Sequence, residues 1–298
     1  MTESKNIGVM HSKDMKREKT LGKIGKITAQ VATYAFLAVM ALIVVFPFYW
    51  IIISSLKTLP EYMLPTPTFW PKQIMFSNYA HAFSTANLGQ LFLNTVYVGV
   101  VSTALSLVIT VLSAFAFARL EFKGKEALFA ALLATMMIPG ELFTITNYIT
   151  INEFNWMNTY TVLIVPFLVS VFYIYLLRQN FLQIPNELYL AAKVDGTSDI
   201  KYLWKVMIPL ALPTIISITI LKMMGSWNSY IWPRLVANDE AHRLITNGIR
   251  QIQVVEDGIV NYPVQMAAVA TVSFPLFLVF IFLRKYIMKG VSRSGIKG

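Results

Sequence analysis

The chain has 298 residues, of which 56% are hydrophobic and 13% charged, against roughly 25% charged in soluble globular proteins, so composition excludes an ordinary water-soluble enzyme. Its 20 Phe, 14 Tyr and 14 Met exceed what one soluble core encloses, and much of that surface is expected to face lipid. Zero Cys excludes disulfides, thiolate metal sites and Cys nucleophiles, and His11, His81 and His242 are too scattered to form a metal site.

The chain opens on a basic tail, residues 1–30, in which Met1–Lys26 holds seven Lys or Arg. The apolar run behind it is too long for a signal-peptide core and lacks a small-residue cleavage site, so the tail is not a targeting peptide. A membrane span needs about 20 apolar residues, and six runs between residues 31 and 283 qualify. Val31–Ile53 is the first. Phe92–Ala118 is the second, stopped by the basic stretch from Arg119 to Lys125. Ala127–Ile149 is the third, interrupted by Pro139-Gly140-Glu141, and Tyr160–Leu177 the fourth, ending at Arg178. Ile208–Trp232 is the fifth and carries Lys222. Val264–Leu283 is the sixth, closed by Arg284-Lys285 and a basic tail, residues 284–298.

Nineteen Lys or Arg fall on the side of the first tail and five on the other. By the positive-inside rule both ends are therefore cytoplasmic. The basic excess is topological: it does not call for nucleic acid, and it lies where anionic lipid attracts it. One all-α membrane domain is expected, with two long polar insertions, residues 178–207 inside and 233–263 outside.

The inner insertion contains its own helix signals. Pro185-Asn186 is an entry, Glu187 places a carboxylate in the first turn, and Gly196 supplies a left-handed exit. A second short helix is expected to begin near Ser198-Asp199, with Ile200, Leu203, Trp204 and Met207 spaced as one apolar stripe. Ala191 and Ala192 leave a shallow face that another protein could approach closely. Periodicity alone also allows an amphipathic connector lying on the bilayer.

Glu187-Leu-x-x-Ala191-Ala192-x-x-Asp195-Gly196, followed by Ile208-Pro209-Leu210 and Pro213, resembles the EAA signature of ABC importer permeases, particularly the maltose-type carbohydrate uptake family. The resemblance implies a type I permease fold and a docking role for Glu187, Ala191, Ala192, Asp195, Gly196, Leu203 and Trp204 against a cytoplasmic ATPase dimer that uses ATP and Mg. It also implies a second, homologous permease subunit and an extracellular or periplasmic sugar-binding protein reached by the outer loop. One departure stands out. The family usually has Glu immediately before the two alanines, where this chain has Leu190, and Glu187 one turn earlier is the expected substitute.

No catalytic constellation appears: there is no His-Glu-x-x-His pair, no Gly-x-Ser-x-Gly elbow and no Gly-x4-Gly-Lys-Ser/Thr loop. An energised carrier of this kind must borrow its ATPase, and the chain itself is expected to bind no metal or cofactor. Lys222 lies about 14 residues into the fifth span, roughly 21 Å along its axis, and Glu141 lies at comparable depth in the third. Charges so deep normally face a cavity or a partner, so an ion pair between them is expected. Trp227-Asn228-Ser229-Tyr230-Ile231-Trp232 mixes flat rings with amide and hydroxyl groups, which suits a sugar; it also suits the aromatic belt at the water interface. Trp227, Asn228, Tyr230, Glu141 and Lys222 are the candidate substrate path. Pro139, Pro166 and Pro275 mark helix interruptions, where alternating access needs two packings of similar energy. The expected function is the membrane half of an ATP-driven sugar importer. The alternative is an ion-coupled secondary transporter, with Glu141 and Lys222 as its coupling residues.

Overall fold

The computed structural model describes residues 3–85, 87–251, 255–256 and 258–292, with only the backbone described for 3–25, 250, 251, 255, 256 and 283–292. The charges expected to orient both tails, and Arg250, Glu256 and Asp257 of the outer loop, lie outside the described side chains. In chain order the helices are α1 (Glu3–Ser55), α2 (Leu59–Tyr62), α3 (Ser77–Thr85), α4 (Leu88–Arg119), α5 (Lys125–Thr135), α6 (Thr144–Glu153), α7 (Tyr160–Ile164), α8 (Val171–Leu182), α9 (Asn186–Val194), α10 (Asp199–Tyr202), α11 (Ile208–Trp227), α12 (Ile231–Val236), α13 (Ile245–Gln251) and α14 (Tyr262–Ser292). The strands β1 (Val255–Glu256) and β2 (Ile259–Val260) form a small antiparallel hairpin before α14.

Four segments are single helices long and apolar enough to cross a membrane: Lys26–Ser55, Leu88–Arg119, Asp199–Trp227 and Tyr262–Phe282. Two more are bent pairs, Lys125–Thr135 with Gly140–Glu153 at 81° and Tyr160–Phe167 with Val171–Leu182 at 45°, so six spans result if each pair is one crossing. Both bends fall at a proline. Pro139 precedes the 3-10 turn Gly140–Phe143, and Pro166 lies within the turn Val165–Phe167, where a missing N–H breaks the hydrogen-bond ladder.

The centre of the bundle is α4. It buries Gly99, Ser102, Thr103, Ser106 and Thr110 among its apolar residues, and small residues on a buried face let neighbouring helices approach closely. At Gly99 the approach is extreme: a Cβ there would lie 2.8 Å from the Met223 sulfur of α11. Around α4 pack α8 and α11, while α1 runs along α14. The apolar face of α1 stays largely open to the surroundings, with Val31, Tyr34, Leu42 and Val44 all exposed.

Two boundaries differ from the sequence reading. The fifth span stops at Trp227 rather than Trp232, because Asn228 closes the helix with both its backbone N–H and its side-chain amide on the Met224 carbonyl, each at 3.0 Å. The second inner helix is not separate. α10 runs through a π-helical turn, Leu203–Met207, straight into α11.

Candidate functional site

Two regions carry the residues singled out from the sequence. The first is an elbow formed by α9 and α10 at one end of the bundle. Helix α9 ends in a Schellman motif: Thr197 N–H donates to the Ala192 carbonyl at 2.8 Å and Gly196 N–H to Lys193 at 3.0 Å. Gly196 sits at φ +69°, a left-handed conformation that glycine adopts without strain. Ser198 caps the next helix through the Lys201 N–H. The two helices are clipped together by Asp199, which accepts from the Tyr189 hydroxyl at 2.8 Å and pairs with Lys193 at 2.6 Å. The bond to Asp199 holds the Lys193 ammonium above its ordinary range, and burial raises the Tyr189 phenol, with its bond to Asp199 adding to the shift.

The elbow presents Glu187, Leu190, Ala191, Asp195 and Gly196 at its surface, together with Val194, Ile200 and Trp204, which are 88%, 56% and 65% exposed. Ala192 is half-buried and packs inward, and Leu203 is fully buried beside Met207 in the core of Phe115, Leu177, Phe181 and Tyr202. The stripe expected from Ile200 to Met207 is therefore split across two faces. Ile200 and Trp204, four apart, share the outer face, and Leu203 and Met207, four apart, share the inner one; the run continues through the π turn, in which Ile208 N–H reaches back five residues to the Leu203 carbonyl.

Sequence reasoning missed the two arginines that mount the elbow. Arg119, at the end of α4, donates to the Phe181 carbonyl at 2.9 Å and the Ile184 carbonyl at 2.5 Å, just before α9. Arg178, in α8, donates back to the Phe117 carbonyl of α4 at 3.0 Å, pairs with Glu126 at 3.3 Å, and lies 4.1 Å over the Phe129 ring. Each arginine thus closes open carbonyls at the end of the other's helix. Read as positive-inside markers they looked interchangeable with exposed lysines. The available signal was their setting, since Ala118-Arg119-Leu120 and Leu177-Arg178 embed each charge in apolar neighbours.

The second region is a pair of adjoining open cavities. One, of about 400 Å³, is lined by Ser102, Ser170, Tyr173, Lys222, Ser226 and Trp232 among others. The other, of about 560 Å³, is lined by Glu141, Thr144, Asn147, Asn228, Tyr230 and Trp232 among others. Phe167, Ser229 and Trp232 line both, so the cavities adjoin along the Trp232 ring. That ring is held by its Nε1–H on the Val162 carbonyl at 3.0 Å and an edge contact to Phe167.

Glu141, Asn228 and Tyr230 are thus brought together, and Lys222 faces the neighbouring space. The expected ion pair does not form. Glu141 is carried away by the turn that follows Pro139, and the Lys222 ammonium donates instead to the Phe167 carbonyl at 2.5 Å, at the bend of the fourth span. Trp227 lines neither cavity. It is buried, 5% exposed, against Phe92, Val264 and Ala268; the ring on the cavity walls is Trp232, five residues further on and itself only 7% exposed. Among the described residues no group of three His, Asp or Glu side chains is placed to hold a metal.

A bundle of four to six apolar helices with an exposed elbow and open cavities of mixed polar and apolar lining fits a multi-span membrane transport component. A family model for the binding-protein-dependent transport system inner membrane component matches residues 7–293, and the chain belongs to that family. It is 29% identical over 93% of its length to the arabinooligosaccharides transport system permease protein AraQ of Halalkalibacterium halodurans, covering 99% of that protein. It is also 29% identical, over 89% of its length and 96% of the relative, to the polygalacturonan/rhamnogalacturonan transport system permease protein YtcP of Bacillus subtilis. Its fold matches a chain of a bacterial ABC transporter that imports the acidic polysaccharide alginate, with a TM-score of 0.79, 23% identity, and coverage of 86% of this chain and 95% of that one.

Proposed function

We propose that this chain is the permease subunit of an ATP-driven importer of a sugar or oligosaccharide, pairing with a second, homologous permease to enclose the path. The observation that carries the reading is the elbow. It is internally locked by the Schellman motif and the Asp199 clip, yet Val194, Ile200 and Trp204 point away from the chain that locks it. An apolar surface on a rigid polar mount suits a docking face. The ATPase dimer supplies ATP and Mg²⁺ chemistry, and this chain hydrolyses nothing. With nineteen Lys or Arg on the elbow side, that side faces the cytoplasm, and residues 233–263 face the binding protein. The sugar class follows the relatives, and the aromatic and hydroxyl lining of the two cavities agrees with it. The ion-coupled alternative gains no support, because Glu141 and Lys222 form no pair and lie in different cavities.

The test is purification from membranes in mild detergent with the partner subunits co-expressed. The wild type retains the ATPase subunits, and Ala191→Glu, which places a charge and bulk on the exposed face, releases them while leaving the permease pair intact. Retention of the ATPase by Ala191→Glu together with unchanged uptake would refute docking at this face.

A further inference from the structure

We infer that the cavity holding Lys222 takes an acidic sugar unit, with the Lys222 ammonium as counter-charge to the sugar carboxylate. This rests on the sugar-transport reading above and narrows it to a chemical class. Lys222 lies five residues before the end of α11 at Trp227, about 7.5 Å at 1.5 Å per residue, and its side chain turns into the cavity rather than out past the helix end. Among the described residues no carboxylate pairs with it, and no Asp or Glu lines its cavity. Among the described residues its one hydrogen bond goes to the Phe167 carbonyl, which occupies one of the three donors an ammonium carries. Two N–H groups are left for a ligand.

The remaining wall matches the rest of a sugar acid. Ser170, Tyr173, Ser226 and Ser229 offer hydroxyls, and Trp232 offers a ring held in place by its bond to Val162. A pyranose has an apolar C–H face for the ring and a hydroxyl rim for the serines; a uronate adds the anion that Lys222 lacks. The volume, about 400 Å³, falls within the roughly 300–1,000 Å³ of small-molecule sites. Glu141 lines the adjoining cavity, so the two chambers differ in sign and a carboxylated unit is held on the Lys222 side.

The experiment uses the complete transporter in proteoliposomes, with trigalacturonate and the neutral α-1,4-galactotriose as probes. Wild type is expected to take up the acidic trimer in preference to the neutral one. Lys222→Gln is expected to lower the acidic-to-neutral uptake ratio tenfold or more while neutral uptake stays within twofold, and Lys222→Arg to keep the ratio. The binding protein is the same throughout, so its own selectivity cancels between variants. Equal loss of both sugars in Lys222→Gln overturns the inference in favour of a structural role at the bend or a pair with a carboxylate of the partner permease. A wild type that moves the neutral trimer and not the acidic one overturns the acidic class and leaves sugar transport standing. A wild type that moves neither counts against the sugar reading itself. If Lys222→Gln fails to assemble, Lys222→Met is read against Lys222→Arg by the same ratio, and an unchanged ratio in Lys222→Met overturns the inference.

Discussion

The elbow and the cavities are built on opposite principles. At the elbow the chain ends are closed: Arg119 and Arg178 bind each other's helix ends, the Schellman bonds finish α9, and Asp199 joins two helices. At the cavities the helices are broken, by 81° in the third span, by 45° in the fourth and by a full stop after Trp227 in the fifth. Broken backbone at membrane depth is tolerated where it lines a cavity, and it bends more readily than a continuous helix. The contrast teaches a division of labour: on the proposed reading, the part that would receive force is stiff and the part that would open is articulated.

Removing Arg119 is the strongest way to break that contrast. Arg119→Ala leaves the Ile184 carbonyl without its donor, while the Phe181 carbonyl keeps the Ile184 N–H at 3.2 Å, and at about 1–3 kcal/mol per unsatisfied group the loss is expected to be in that range. Thermal unfolding in detergent and hydrogen exchange across α9 should both report it, and unchanged exchange in α9 would show that the arginine is not what mounts the elbow. Gly196→Val forces a β-branched residue into φ +69°, costing roughly 1–3 kcal/mol. It should loosen ATPase retention without altering the cavities.

In the cavities the effects move to transport. Trp232→Ala is expected to reduce sugar uptake at least tenfold, whereas Trp227→Phe, a conservative core change, should leave uptake within twofold; equal losses would erase the distinction between the two rings. The smallest effect expected is with pH at the elbow. A lysine whose folded pKa is raised contributes stability that is present below its unfolded value and lost only as pH rises through the higher folded one. For Lys193 that window lies above the ordinary 10.5, so its clip should not loosen between about pH 6 and 9, as exchange of the α9 amides over that range would show.

Local signals were legible in the sequence and distant ones were not. The start at Pro185-Asn186 and the exit at Gly196 lie within one turn of what they control, and the folded chain places them as the residues require. Spacing alone does not say that Leu203 faces inward: Ile200, Leu203, Trp204 and Met207 fit one stripe by period, and only the packing of α10 on the core divides it into an outer and an inner pair. Trp227 and Trp232 are equally aromatic in sequence and both are buried; the stop at Asn228, which leaves only Trp232 on the cavity walls, arises from the surrounding packing. The arginine pair joins residues that lie more than fifty positions apart, such as Arg178 with Phe117 and Glu126, and no single-sequence pattern connects them.

The unbroken run from Asp199 to Trp227 has one more implication. Trp204 on the outside and Lys222 within the bundle ride on the same piece of helix, with a π turn between them and no loop. The 29 residues at 1.5 Å each make a tiller about 43 Å long. A tilt of the protruding grip reaches the chamber wall only through the π turn, Pro209 and Pro213, where N–H groups are withheld from the ladder, so these positions set how far the wall follows the grip.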